Sequence, residues 1–147
     1  MSYAEDSVST AILGDLVQEF VNRVSHAQGK TLAALTDAGI TLPQVLLLRR
    51  MASNGEITTS ELAEQMHMSL PAVSQMVERL SQLGLVSRVE STDDRRKKLL
   101  TVTQDGRKLL RRISRARSAD YAAGVAPLSP RMRAGLLRVL SDALKEL

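Results

Sequence analysis

The 147-residue chain has no cysteine and no tryptophan, and its 2% aromatic content is Tyr3, Phe20 and Tyr121 alone. Without cysteine there is no disulfide, no thiolate metal ligand and no thiol redox switch. With so few rings there is no aromatic cage and no platform on which unpaired bases could stack, which argues against single-stranded nucleic acid as the partner. The core must be built from aliphatic side chains. No apolar run approaches the roughly 18 residues of a membrane-crossing helix. The opening MSYAEDSVST is polar and carries two acids, unlike a signal peptide, so a cytoplasmic location with no membrane partner is expected. Catalytic signatures are missing too: there is no glycine-rich phosphate loop, no metal-ligand cluster and no Ser/His/acid motif, so neither an enzyme nor a cofactor is expected. His26 and His67 are the only histidines and stand 41 positions apart, a poor zinc site. Met51, Met66, Met68 and Met76 fall at core spacing and read as gap-fillers rather than oxidation sensors.

What is present is charge, unevenly placed. Residues 85–117 hold eleven Lys or Arg against four Asp or Glu, whereas the remainder of the chain holds nine against twelve. One electropositive face on a nearly neutral body is the pattern of a phosphate-contacting protein. Size allows one domain with a real core.

The stretch that organises the chain is TTSELAEQMHMSLPAVSQMVERLSQLGLVSRVESTDDRRKKLLTVT, residues 58–103. Thr58 and Glu61 have capping-box spacing, followed by Leu62, Ala63 and Met66 at helical intervals. His67-Met68-Ser69 makes a turn; Ser69 is a good N-cap and Pro71 falls within the first turn of a second helix. Val73, Met76, Val77, Leu80 and Leu83 form the apolar face of that helix, and Gly84 ends it. Ala72, Ser74, Gln75 and Arg79 lie elsewhere on its surface, small or hydrogen-bonding enough to enter a major groove about 12 Å wide. Leu85, Val86 and Val89, then Leu99, Leu100 and Val102, predict two short strands around the charged loop STDDRRKK. Helix, turn, helix and a basic-tipped ribbon make a winged helix-turn-helix, mainly α with a small β-wing.

These residues resemble the MarR family of transcriptional regulators. The wing signature of that family is matched by Asp94, Arg96, Leu100, Thr103 and Gly106. His67 stands where the family often has glycine, and histidine tolerates positive φ better than bulkier residues do. The resemblance implies a homodimer that binds double-stranded DNA at a palindromic operator, most often as a repressor, with affinity modulated by a small-molecule effector. It also implies that Arg96 contacts a minor groove or phosphate, oriented by Asp94.

From the residues themselves, Gln75 is the best candidate base reader, through bidentate bonds to adenine. Pro71 and Ala72 suit a thymine methyl, Ser69 and Ser74 a phosphate or base edge, and Arg79 either DNA or an ion pair with Glu61, Glu64 or Glu78. Arg95, Lys97 and Lys98 offer diffuse attraction to phosphates. Thr58 and Thr59 suit a phosphate anchor, with capping as the competing role for Thr58.

Around residues 41–103 the pattern is helical. Residues 1–9 are expected to be frayed, and one helix from about Ser9 to Leu35 carries Ile12, Leu13, Leu16, Val17, Phe20, Val21 and Val24. A second helix starts at Thr41, with Gln44 as its capping-box partner, and ends near Asn54-Gly55; Ile57 is a candidate third strand. After Thr103 a long helix bears Arg107, Lys108, Arg111, Arg112, Arg115 and Arg117, until Gly124, Pro127 and Pro130 interrupt it. A last helix from Ser129-Pro130 is expected to bury Met132, Leu136, Leu137, Leu140, Ala143 and Leu144. The assigned division is 1–40 with 104–147 as a helical dimerisation bundle and 41–103 as the DNA-reading part. A winged-helix module that binds another protein, and a metal- or oxidant-gated regulator, are the alternatives.

Overall fold

A computed structural model describes residues 3–25, 27–90 and 98–147. The order is α1 (Tyr3–Val24), α2 (Lys30–Ala38), α3 (Leu42–Asn54), α4 (Thr59–Gln65), α5 (Leu70–Gln82), β1 (Val86–Glu90), β2 (Lys98–Val102), α6 (Gln104–Val125) and α7 (Pro130–Glu146). The expected winged helix-turn-helix is the fold observed. No single helix among the described residues is long and apolar enough to cross a membrane. The chain divides into two compact units, residues 33–115 and residues 1–32 with 116–147.

The 33–115 unit closes on an aliphatic core. Val45, Leu47, Leu48 and Met51 of α3, Leu62 of α4 and Val73, Val77 and Leu80 of α5 are almost completely buried, with Leu100 of β2 and Ile113 of α6. Local chemistry sets the helix ends. At Thr58, the hydroxyl accepts from the Glu61 amide while the Glu61 carboxylate accepts from both the Thr58 N–H and its hydroxyl. The α4 terminus is a Schellman turn, with the His67 N–H on Glu64 O and the Met68 N–H on Ala63 O. His67 therefore sits at φ 52, the position expected for it. α5 ends in the same way, with Gly84 at φ 72. The expected N-cap at Ser69 accepts from the Ala72 N–H.

β1 and β2 pair antiparallel, with Val86 opposite Val102, Arg88 opposite Leu100 and Glu90 opposite Lys98. Residues directly opposite share a face, so one face of the ribbon runs from buried Val86 and Val102 to charged Arg88 and Lys98 as it leaves the core. Ile57 contributes a single bridge to Leu100 and not a third strand. Thr103 ties the ribbon to α6: its hydroxyl donates to Gly84 O and accepts from the Gly106 N–H. A Cβ on Gly106 would lie 2.4 Å from Leu85 O, so only glycine permits this approach.

Unit 1–32/116–147 departs from several expectations. The helix predicted over 9–35 is two helices. α1 starts earlier, at Tyr3, and ends at Val24; α2 restarts at Lys30 beyond Gly29, whose φ is 64. The break is held by Asp120 of α6, whose carboxylate accepts from the N–H groups of Gln28, Lys30 and Thr31 and from the Thr31 hydroxyl at 2.7–3.2 Å. One remote carboxylate, accepting four hydrogen bonds, satisfies the start of α2, which local periodicity does not reveal. Gly124 does not interrupt α6 but lies inside it. A Cβ there would come within 2.5 Å of Val24 O, so this glycine is a helix–helix contact. Finally, α7 buries none of its side chains in the chain itself: Met132, Leu137, Leu140 and Leu144 are all more than half exposed. Its N-cap at Ser129 forms as expected, accepting from the Met132 N–H.

Candidate nucleic-acid interface

α5 turns Val73, Val77 and Leu80 into the core, which leaves the rest of its circumference outside. At 3.6 residues per turn the outer surface divides into three strips. Ser74 and Glu78 lie on the flank nearest the ribbon, Pro71 and Gln75 in the middle, and Ala72 and Arg79 on the far flank. Gln75, Ser74, Ser69 and Pro71 are exposed and Ala72 is half-buried. Arg79 has a guanidinium nitrogen 3.7 Å from where a Gly39 Cβ would be, and it makes no ion pair among the described residues. Glu78, a possible partner for it, is taken by Arg88 at 2.6 Å.

On the ribbon side lies an open concavity of about 320 Å³. Val77 and Leu100 form its floor, and Thr59, Ser74, Glu78, Arg88 and Lys98 its polar walls. The first turn of α4, the outer surface of α5 and both strands thus bring together three of the residues singled out from sequence: Thr59, Ser74 and Lys98. Gln75 adjoins Ser74 on the same outer surface. Thr58 does not share this setting, because its hydroxyl is engaged in the capping box. Asp94, Arg95, Arg96 and Lys97 lie outside the described residues, as does His26. Arg88 is the member that sequence reasoning passed over. Its signal was the alternation with Val86, which puts both on the inward face of the ribbon.

Residues 40–98 match the family model described as "MarR family". That stretch of the chain is similar to the MarR family. It is similar to the HTH-type transcriptional repressor MdtR of Bacillus subtilis, 34% identical over 79 residues, a stretch covering 54% of this chain and 51% of that protein. The chain thus spans about half the length of this curated relative. Among solved structures, RV1404 from Mycobacterium tuberculosis is 27% identical with a TM-score of 0.72, over 99% of this chain and 95% of that one. An S. aureus MepR mutant solved with a bound oligodeoxyribonucleotide has a TM-score of 0.64 at 19% identity, over 94% of this chain and 96% of its own. At that identity it speaks for the fold alone. The matched stretch includes α3, α4, α5 and β1, and so takes in every element that lines the concavity except most of β2.

Proposed function

We propose that this protein is a MarR-type transcriptional regulator, a repressor that binds a palindromic operator in double-stranded DNA as a homodimer. The observation that carries this reading is the outer surface of α5. Ser74 and Gln75 stand exposed on a helix fixed by a fully apolar core, next to Thr59 and Lys98. A helix so held can enter a major groove while flanking hydroxyls and cations meet the phosphates. Ser69, Pro71, Ala72 and Arg79 extend that contact along α5, and Asp94, Arg95, Arg96 and Lys97 extend it from the wing. The similarity to MdtR, an HTH-type transcriptional repressor, supports the same reading. The exposed apolar faces of α1 and α7 support the homodimer, with residues 1–40 and 104–147 as the pairing part and 41–103 as the reading part. Two copies would place their α5 helices about 34–36 Å apart, one turn of DNA. A small-molecule effector that favours one spacing over another belongs to the same proposal. No catalytic step is assigned, and the cytoplasm is the proposed location.

Fluorescence anisotropy with the DNA upstream of the protein's own gene, beside a scrambled duplex, tests this at several salt concentrations. Selective binding that falls steeply with salt, is weakened by Arg96→Ala and loses discrimination in Gln75→Ala is the expected result. Weak and equal binding to both duplexes would overturn it.

A further inference from the structure

Glu78 is a carboxylate on a surface where the proposed function needs none. It follows Ser74 by one turn on the ribbon-facing flank of α5, and its carboxylate holds the Arg88 guanidinium at 2.6 Å. Both side chains are about half exposed, at 53% and 42%, so neither is buried by the pairing. They line the same concavity as Thr59, Ser74 and Lys98. Arg88 itself is placed by register. It lies opposite Leu100 on the face of the ribbon that turns toward α5, one step beyond the buried Val86–Val102 pair. A guanidinium there, beside a lysine and two hydroxyls, has the chemistry to bind a phosphate, which a planar fork of donors suits. In the free protein one terminal nitrogen of that fork already donates to Glu78.

We propose that Glu78 acts as an internal counter-anion for Arg88 and thereby sets the sequence-independent part of the DNA affinity. A backbone phosphate entering the concavity must displace a carboxylate from the guanidinium. An exposed pair of this kind is weak, so the exchange is available to DNA and is not a lock. The penalty falls on operator and non-operator DNA alike, because the phosphate carries no sequence information. The inference rests on the DNA-binding reading above, and it concerns how strongly, rather than which, DNA is bound.

The test is a set of anisotropy titrations over a range of salt, on the operator-containing and scrambled duplexes, with wild type, Glu78→Gln, Arg88→Gln, the double variant and Glu64→Gln. Glu64 is an exposed acid of α4 outside the concavity and serves as the charge-matched control. Glu78→Gln is expected to tighten both duplexes by a similar factor, roughly two- to fivefold. It should also steepen the slope of log K against log salt by about 0.9, the signature of one more neutralised phosphate. Glu64→Gln and the double variant should keep the wild-type slope. Weaker binding of Glu78→Gln to both duplexes would make the pair a strut for the ribbon and overturn the proposal. Loss on the operator alone would make Glu78 a base reader and overturn it as well. A steepening that survives in the double variant would show that Arg88 is not the group released. If wild type itself shows no salt-steep binding to either duplex, the DNA-binding reading fails and this one with it; wild-type binding without the Glu78→Gln effect sinks this one alone.

Discussion

The two compact units spend their apolar residues differently. Residues 33–115 fill their own interior: Val45, Leu47, Leu48, Met51, Leu62 and Leu80 have no exposed surface at all. In residues 1–32 with 116–147, the described buried side chains are Val24, Thr31 and the carboxylate of Asp120. Ile12, Leu13, Leu16 and Val17 of α1 and Leu137, Val139, Leu140 and Leu144 of α7 stay exposed. The first unit owes its stability to close packing, while the second is organised by a polar clamp and a glycine contact and keeps its aliphatic stripes outside. An exposed stripe on each of two helices is far more apolar surface than scattered single residues, and such patches mark association surfaces. Under the proposed function this difference would have a use: residues 33–115 would stay rigid while contacting DNA, and the other unit would be completed by a second copy.

The largest expected effect separates these two uses of leucine. Leu47→Ala leaves a cavity in a closed core and should cost about 2–5 kcal/mol in chemical denaturation. Leu140→Ala removes the same atoms from a side chain that is 52% exposed in the single chain, and should cost far less in dilute solution. Leu140→Glu should instead shift sedimentation equilibrium toward the monomer and remove the concentration dependence of Tm that a dimer confers. Equal losses for Leu47→Ala and Leu140→Ala in dilute protein, or an unchanged mass for Leu140→Glu, would erase the distinction.

Next in size is the glycine contact. Gly124→Ala forces a methyl toward the backbone of Val24, which cannot rotate away as a side chain would. A loss of about 1–3 kcal/mol is expected, typical of overpacking. Gly135→Ala in α7 is the matched control, since a Cβ there meets nothing within 4 Å. By helix propensity it should stabilise by up to about 1 kcal/mol. Urea midpoints for the two variants should therefore move in opposite directions.

These glycines also show where the sequence was readable. The 33–115 unit is specified by local rules: a capping box at Thr58, an N-cap at Ser69, a terminator at Gly84 and alternating strands. Each acts within a few residues, so each could be seen one window at a time. The break after Val24 could not, because the group that satisfies the start of α2 is Asp120, about ninety positions further along. Gly124 looked like a helix breaker because its neighbour Val24 is 100 residues away. The same limit hides Arg88: its strand is legible, but its partner Glu78 lies on another element and, one position before Arg79, also suits that residue. Arg96 and Asp94 rest on the motif alone.

The polar clamp has its own signature in acid. The Thr31 N–H is the main cause that draws the Asp120 pKa from 3.8 to about 2; burial opposes it, and the Thr31 hydroxyl and the N–H groups of Lys30 and Gln28 add to the lowering. A carboxylate with a depressed folded pKa contributes stability that is fully present above the unfolded value and lost as pH falls through the folded one. The wild-type Tm should therefore decline between about pH 4 and pH 2 by a component that Asp120→Asn lacks. Asp120→Asn should also be less stable than wild type at neutral pH, because its amide turns a donor toward N–H and O–H groups that need acceptors. Parallel Tm curves for the two proteins through that acid range would show that the clamp does not hold the break.

The smallest effect belongs to the other unit and to a single dihedral. His67 occupies the left-handed position of a Schellman turn at φ 52, where glycine is the usual residue. A side chain there crowds the carbonyl and costs about 1–2 kcal/mol, while glycine would lose more backbone entropy on folding, about 0.5–1 kcal/mol. His67→Gly should thus gain at most about 1.5 kcal/mol, and His67→Val, branched at Cβ, should lose stability. Both would appear as shifts in urea midpoint with an unchanged m-value, because neither alters the surface exposed on unfolding. DNA affinity should hold in His67→Gly, since the hydrogen bonds that set the turn run from the backbones of His67 and Met68 to Glu64 and Ala63. If the glycine variant instead loses stability, the imidazole supports the turn through its ring, and the relief of strain is the smaller of the two terms.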